Sequence, residues 1–303
     1  MIEHPNQPRD NDVVLGNQTS ALSANAILGG IEGVKWRLGL GKTTNYPDNL
    51  RHRIAALTDA VNYGQSGIDL LIQALEDETW LIHQTAYSLL QNQVKTKVQQ
   101  ALERYSSRLA QELIKSYEAG ERNFHQANLN GLYLQRADLS EANFSEANLS
   151  EAYLRQAYLS GVNFNNANLK GANLVNAELF QASFVEANLN QAYLNRVNLT
   201  QANLIKANLR GTDLSEADLT GVDLSQAILT WANLSSANLS QANLSNTNLV
   251  GSNLTGANLS GANLEGAKLK GVNLTDANLA GAYYDDNTDF PVGFGAYHQI
   301  IKR

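Results

Sequence analysis

The sequence predicts an α-helical domain followed by a four-sided solenoid of about eight coils, and three observations carry that reading. From Phe124 to Leu279 every fifth residue is Leu or Phe, thirty-two times without an insertion or deletion. A period of five fits neither the 3.6 of a helix nor the 2 of a strand, so these side chains share one interior only if the chain coils and its units stack. Second, Phe124, Phe144, Phe164 and Phe184 fall twenty residues apart, a spacing expected by chance about one time in sixty-four if four pentads make a turn. Tyr133, Tyr153 and Tyr193 keep the same phase, and Gly131, Gly171, Gly211 and Gly251 keep it at every second turn. Third, the residues before 120 lack this rhythm and carry apolar residues at three- and four-residue spacings.

The elements follow in order. Residues 1–21 are polar with two prolines and read as a flexible tail. Residues 22–119 form the helical domain. From Ser23 the residues Ile27, Ile31, Val34 and Leu38 follow a helical spacing, which Gly39 and Gly41 end, while the glycines at 29, 30 and 33 suit close packing against another helix. Further helices are predicted over Arg51 to Asn62 or Tyr63, Ile68 to Leu75, Thr79 to Leu90 and Val94 to Tyr105. Gly64, Gly67 and Glu76-Asp77-Glu78 separate them, and Thr79 serves as a cap. Ser106 to Gly120 continues as helix, with Leu109, Leu113, Ile114 and Tyr117 on one side. An open solenoid end exposes unpaired backbone and apolar side chains, so this domain is expected to cap the first coil.

Residues 120–282 are the repeat, which reads A-(N/D)-L-x-x. The position before each Leu or Phe is Asn or Asp at twenty-four of thirty-two places, and the position before that is mostly Ala. The large apolar residue fills the interior, worth about 1.5–3 kcal/mol when fully buried. Ala is small because four sides converge on a narrow axis. Asn is expected at the corner, bonding nearby backbone and stacking in columns. The two x positions face water, so any function is written there or at the ends. Residues 283–303 leave the rhythm and are expected to form a C-terminal cap. Aromatics replace Asn and Leu in YYDDNTDFPVGF, where Tyr284, Phe290 and Phe294 would cover the last coil. Asp285, Asp286 and Asp289 lack the glycine turn and distal Glu of a calcium loop.

This pattern closely resembles the pentapeptide-repeat family. The resemblance implies a right-handed quadrilateral β-helix with the Leu or Phe and the preceding small residue inward. With strands about 4.8 Å apart, eight coils would rise about 38 Å. The stretch LIQALEDETWLIHQTAYSLLQ resembles a HEAT-type helical hairpin, of a kind found in front of repeat domains in cyanobacterial proteins, and the closing phrase resembles the ends of many family members.

Net charge is −7, with no strongly charged segment: acidic and basic residues number 14 and 11 in residues 1–121, 12 and 9 in residues 122–281, and 3 and 2 in residues 282–303. Neither a phosphate-neutralising face nor a dense mimic of nucleic acid is indicated, so direct nucleic-acid binding is not expected. The absence of cysteine excludes disulfides and thiolate metal sites. The N-terminus is no signal peptide and no apolar window spans a membrane, so a cytoplasmic protein is expected. Gly41-Lys42-Thr43 looks like the end of a phosphate-binding loop, yet the glycine required five positions before Gly41 is Trp36, and a solvated interhelical loop is the better reading. His4, His52, His83, His125 and His298 are scattered, with none at i,i+4 from another. Glu141, Glu146 and Glu151 fall around the corners of a coil instead of across a cleft. A packed rod offers no catalytic hollow. No catalytic residue, cofactor or metal site is expected, and no enzyme.

What stands out is a face. Tyr133, Tyr153 and Tyr193 share one column, Arg136 and Arg196 a neighbouring one, with Arg155 close by and Tyr158 on the next corner. Tyr and Arg anchor protein interfaces, although stacked Tyr can also replace Asn as a cover for the coil. Ile228 and Trp231, flanking Leu229, form a second exposed apolar spot. The function expected is a non-enzymatic protein-interaction or regulatory scaffold, a monomer or weak dimer, with a partner the residues do not name. The alternative comes from the resemblance, which includes DNA-mimic inhibitors of gyrase. It fits less well, because such mimicry needs a densely acidic surface.

Overall fold

A computed structural model of the chain describes residues 30–39, 50–77, 79–91, 93, 95–294 and 300–303. The expected tail over 1–21, the helix start at Ser23 with Ile27, the Gly41-Lys42-Thr43 loop, Val94, His4 and His298 lie outside the described residues. The chain divides into two compact units, Met1–Ser106 and Ser107–Arg303.

The first unit is helical: α1 Gly30–Arg37, α2 Leu50–Ala60, a 3-10 turn Val61–Tyr63, α3 Gly64–Ala74, α4 Trp80–Leu90, and the start of α5, Thr96–Glu118. The apolar spacing buries Val34, Leu38, Ala56, Leu57, Leu71, Leu75, Ile82, Leu90 and Val98 in one core. Gly39 leaves α1 with φ +78°, the left-handed stop that glycine supplies most easily. Gly64 is the break expected of it, its φ of +54° turning the chain between the 3-10 turn and α3, whereas Gly67, also expected as a break, lies within α3. A Cβ on Gly67 would stand 1.7 Å from the Ala60 carbonyl oxygen, so this glycine permits α3 to approach α2. Thr79 does precede α4, but its side chain makes no cap bond; its hydroxyl accepts from Arg53 Nη1 at 3.1 Å. Arg53 also pairs with Asp77, whose carboxylate accepts the Thr79 N–H at 2.9 Å. His83 is buried, its Nδ1 2.7 Å from the Tyr105 hydroxyl, to which Gln84 donates at 2.6 Å.

The second unit is a ladder of parallel bridges. Each bridged residue pairs with the one twenty positions on, from Asn123↔Asn143 to Asn263↔Tyr283. Two backbone hydrogen bonds make each rung: Leu129 N–H donates to the Asn148 carbonyl at 2.7 Å, and Asn148 N–H to the Ala127 carbonyl at 2.9 Å. Four pentads therefore make one turn and define four faces, entered at Asn123, Asn128, Tyr133 and Asp138. The twenty-residue Phe spacing becomes a column of stacked rings, with centroids 5.3, 5.5 and 5.1 Å apart along Phe124, Phe144, Phe164 and Phe184. Leu and Ala fill the interior, mostly at 0–1 % exposure. Where Thr212 replaces Ala its buried hydroxyl donates to the Leu209 carbonyl at 2.6 Å, so the interior polar group is satisfied.

Asn lies on the flat faces, in the bridges, and not at the corners as the sequence suggested. The reason is that its side chain bonds in two directions. Asn143 Nδ2 donates to Asn123 Oδ1 at 3.0 Å one turn away, while Asn143 Oδ1 accepts the Ser145 N–H at 3.1 Å and holds the start of the corner. The corners are the two x residues. Ala127 N–H donates to the Phe124 carbonyl at 3.1 Å across Gln126 at φ +57°, the pattern of a type II turn.

At the N-terminal end of this unit Leu109 and Leu113 of α5 are buried, the Tyr117 hydroxyl donates to the Ser140 carbonyl at 2.9 Å, and the Arg122 guanidinium lies 3.7 Å from the Tyr117 ring centre. At the other end the ladder takes one extra residue, Lys268↔Asp289, and closes with a short parallel pair, β1 Tyr283–Tyr284 and β2 Ile301–Lys302. Phe290 meets Tyr284 edge-on at 5.1 Å and Phe294 face-on at 4.2 Å. The three aspartates here are structural. Asp285 accepts from Gly266 N–H, Asn287 and Thr288, Asp286 pairs with Lys302, and Asp289 joins the ladder through its backbone.

Candidate functional site

The second x position of every pentad is left-handed. Thirty-two such residues, twenty-one of them not glycine, have φ between +56° and +71°. A β-branched side chain is a true outlier there. The sequence obeys this rule: no Val, Ile or Thr occupies a second x position, whereas nine of the thirty-two first x positions hold one, for example Val175, Val185 and Ile205. This compositional split is the signal that finds the corners from sequence alone.

Side chains on the left-handed residues lean along the rod onto the next turn. The Glu151 carboxylate lies where a Cβ on Gly171 would stand, 2.4 Å away, and the Trp231 ring lies 2.7 Å from the corresponding point on Gly251. The alternation of large residues and glycine in this column is thus a packing pattern. It also leaves an open recess of about 390 Å³ on the outer surface, lined by Glu151, Gly171, Gln191, Tyr193, Gly211 and Asp213.

The structure brings the expected face together in part. Tyr133 and Tyr153 are bridge partners, with rings 4.5 Å apart and 9° from parallel. Asn173 follows Tyr153 in the column, so Tyr193 stands two turns beyond that pair. All three tyrosines remain 39–54 % exposed. Arg136 and Arg196 occupy left-handed corners on the edge of this third face: Arg136 Nε donates to Gln156 at 3.0 Å, and Arg196 forms a two-pronged pair with Glu216 at 3.0 and 3.2 Å. That contact raises the Arg196 guanidinium above its ordinary pKa. Arg155 is exposed at the first x position. Tyr158, expected at a corner, lies on the flat fourth face, bridged to Asp138 and Glu178. Phe180, also exposed and not singled out from sequence, stands at the corner that ends the fourth face one turn further on. Ile228 bridges Asn208 and Asn248 on the second face, and Trp231 stands at the corner after it, 66 % exposed with its ring over Gly251.

The charge is distributed by face. Across the first four turns the third face (133–136, 153–156, 173–176, 193–196) carries Arg136, Arg155 and Arg196 and no carboxylate. The fourth face (138–141, 158–161, 178–181, 198–201) carries Asp138, Glu141 and Glu178 and no cation. Burial first, and Asp138 next, push the Tyr117 hydroxyl above its ordinary pKa at the head of that acidic face. Among the described residues no group of three or more His, Asp or Glu could hold a metal ion, and no helix is long and apolar enough to cross a membrane.

A family model of pentapeptide repeats matches the chain in eight copies over residues 123–230 and 232–283, together more than half of it. HetL, a pentapeptide repeat protein involved in heterocyst differentiation regulation from the cyanobacterium Nostoc sp. strain PCC 7120, is 32 % identical. The match covers 57 % of this chain and 93 % of HetL, with a TM-score of 0.31. Another Nostoc pentapeptide repeat protein, alr5209, is 37 % identical over 35 % of this chain and 84 % of its own, with a TM-score of 0.20. A trypsin-treated form of QnrB1, a plasmid-mediated fluoroquinolone resistance protein, is 19 % identical over 56 % of this chain and 86 % of its own. Its TM-score is 0.51, a likeness of fold alone. No curated protein matches the chain. The unbroken Leu rhythm, the twenty-residue ladder and the family match agree: this chain belongs to the pentapeptide-repeat family, and its repeat segment is a right-handed β-helix preceded by helices.

Proposed function

We propose that the protein is a non-enzymatic interaction scaffold, a rigid rod of about eight four-sided coils whose third face binds a partner protein. The observation that carries this is the coincidence, on one face of four turns, of three half-exposed tyrosines with three arginines and no carboxylate. Large rigid aromatics and forked guanidiniums supply most of the energy at protein interfaces. The interior behind them is filled with Leu, Phe and Ala, which supports a binding role over a catalytic one. In this reading residues 22–119 are a helical domain, 120–282 form the rod and 283–303 close it, and Ile228 with Trp231 is a lesser contact. Imitation of duplex DNA toward gyrase has less support, because the repeat carries 12 acidic against 9 basic residues and three of its four exposed tyrosines, Tyr133, Tyr153 and Tyr193, lie on a cationic face.

The test is affinity purification from the native cell with the wild type and a Tyr153→Ala/Arg155→Ala variant. Both side chains are exposed, so the variant is expected to keep its circular dichroism spectrum and lose the partner. A partner retained at wild-type yield would refute the reading.

A further inference from the structure

The third face of the first four turns is small and carries only cations, with Glu151 at its entering corner and Asp213 one turn beyond, and these properties restrict what it can hold. Four turns at about 4.8 Å rise about 19 Å, and a side of five residues is at most about 16 Å wide, roughly 300 Å². A stable pair of globular partners covers about 800 Å² on each side. A single extended chain at about 3.3 Å per residue would lie along the face with about six residues.

The charges choose the chemistry of that chain. Arg136 and Arg155 lie one turn apart, and Arg196 two turns beyond Arg155. Arg196 is engaged with Glu216, but both side chains are more than half exposed, so this is a pair that solvent screens and an incoming carboxylate can exchange with. Guanidinium groups bind carboxylates through paired, charge-assisted hydrogen bonds. The tyrosines favour a peptide over a single-stranded nucleic acid. Tyr133 and Tyr153 stack on each other nearly parallel at 4.5 Å, so each ring spends one π-face on the other, and bases need open faces to stack. A long polyanion would also meet Asp138, Glu141 and Glu178 on the adjoining face.

We propose that the third face of the first four turns holds a short, extended, acidic segment of the partner protein, its carboxylates bound by Arg136, Arg155 and the tyrosine hydroxyls. This rests on the reading of that face as a protein-binding surface and adds the class of segment it takes.

The experiment is fluorescence anisotropy on the full chain with three labelled probes: an eight-residue peptide alternating Glu and Ser, its Gln-for-Glu twin, and an eight-nucleotide oligothymidylate. The Glu peptide is expected to bind, and the other two to bind at least about tenfold more weakly. Arg136→Glu/Arg155→Glu is expected to weaken the Glu peptide by about tenfold or more, the milder Arg155→Gln by less, and Glu178→Gln on the neighbouring face to leave it within about twofold. Equal binding of the Gln twin, tighter binding of the oligonucleotide, no Glu-peptide binding at millimolar concentration, or indifference to the arginine variants would each overturn the proposal. If the peptide fails while Tyr153→Ala/Arg155→Ala still loses the cellular partner, the acidic class is wrong and the interaction face stands.

Discussion

Asp285 illustrates how single residues close the rod. Its carboxylate accepts from the Gly266 N–H at 2.8 Å, and from Asn287 and Thr288, which hold its pKa at about 2, below the ordinary 3.8. A depressed carboxylate stabilises the fold above its unfolded pKa, and that contribution is lost as pH falls through the folded one. The C-terminal closure is therefore expected to loosen between pH 4 and 2. In an NMR titration the Gly266 amide should shift with a midpoint near 2. Asp285→Asn should abolish that titration, and a midpoint near 4 would show that the bonds do not hold the carboxylate. The sequence displayed three aspartates and the missing features of a calcium loop. It did not display the Gly266 amide, which comes from a pentad nineteen residues away.

At the scale of elements, helices and corners were legible to different degrees. Apolar spacing located α2, α4 and α5, because packing on a core imposes that period. Gly64 does break the chain before α3, but Gly67 misled, since glycine usually weakens a helix by about 1 kcal/mol relative to Ala and is read as a break. Here the close approach of α3 to the Ala60 carbonyl requires the missing Cβ at Gly67. Gly67→Ala is accordingly expected to destabilise the helical unit by about 1–3 kcal/mol net, the overpacking outweighing the gain in helix propensity. Urea unfolding followed at 222 nm measures this, and an unchanged or raised midpoint would contradict the packing account. The Asn positions misled in the other direction. Asn is so common in turns that a corner was the natural expectation, whereas its two-way bonding places it in the bridges and leaves the corners to left-handed Gln, Glu and Gly.

For the molecule as a whole, the Leu rhythm and the Phe column made the rod and its four-pentad turn readable, because a stack of nearest-neighbour units repeats its own geometry in the sequence. The face was readable only as shared columns. The separation of cations from carboxylates onto adjoining sides needed the turn length first. The same modularity predicts that removing twenty residues, Val222 to Gln241, preserves every column and leaves a cooperative thermal transition with the same circular dichroism shape. Deleting Asn233 alone should do more harm, about 3–5 kcal/mol, because it turns a Leu outward and a polar side chain inward. Melting both variants compares them directly, and equal loss would mean that the interior tolerates slippage. The left-handed corners carry a further consequence for descent. At those positions β-branched side chains are excluded, while one residue earlier they are admitted. New recognition surfaces on this rod can thus arise by drift over a wider set of amino acids at the first residue of a corner than at the second, so two lineages seeking different partners would diverge faster along one set of columns than along the other.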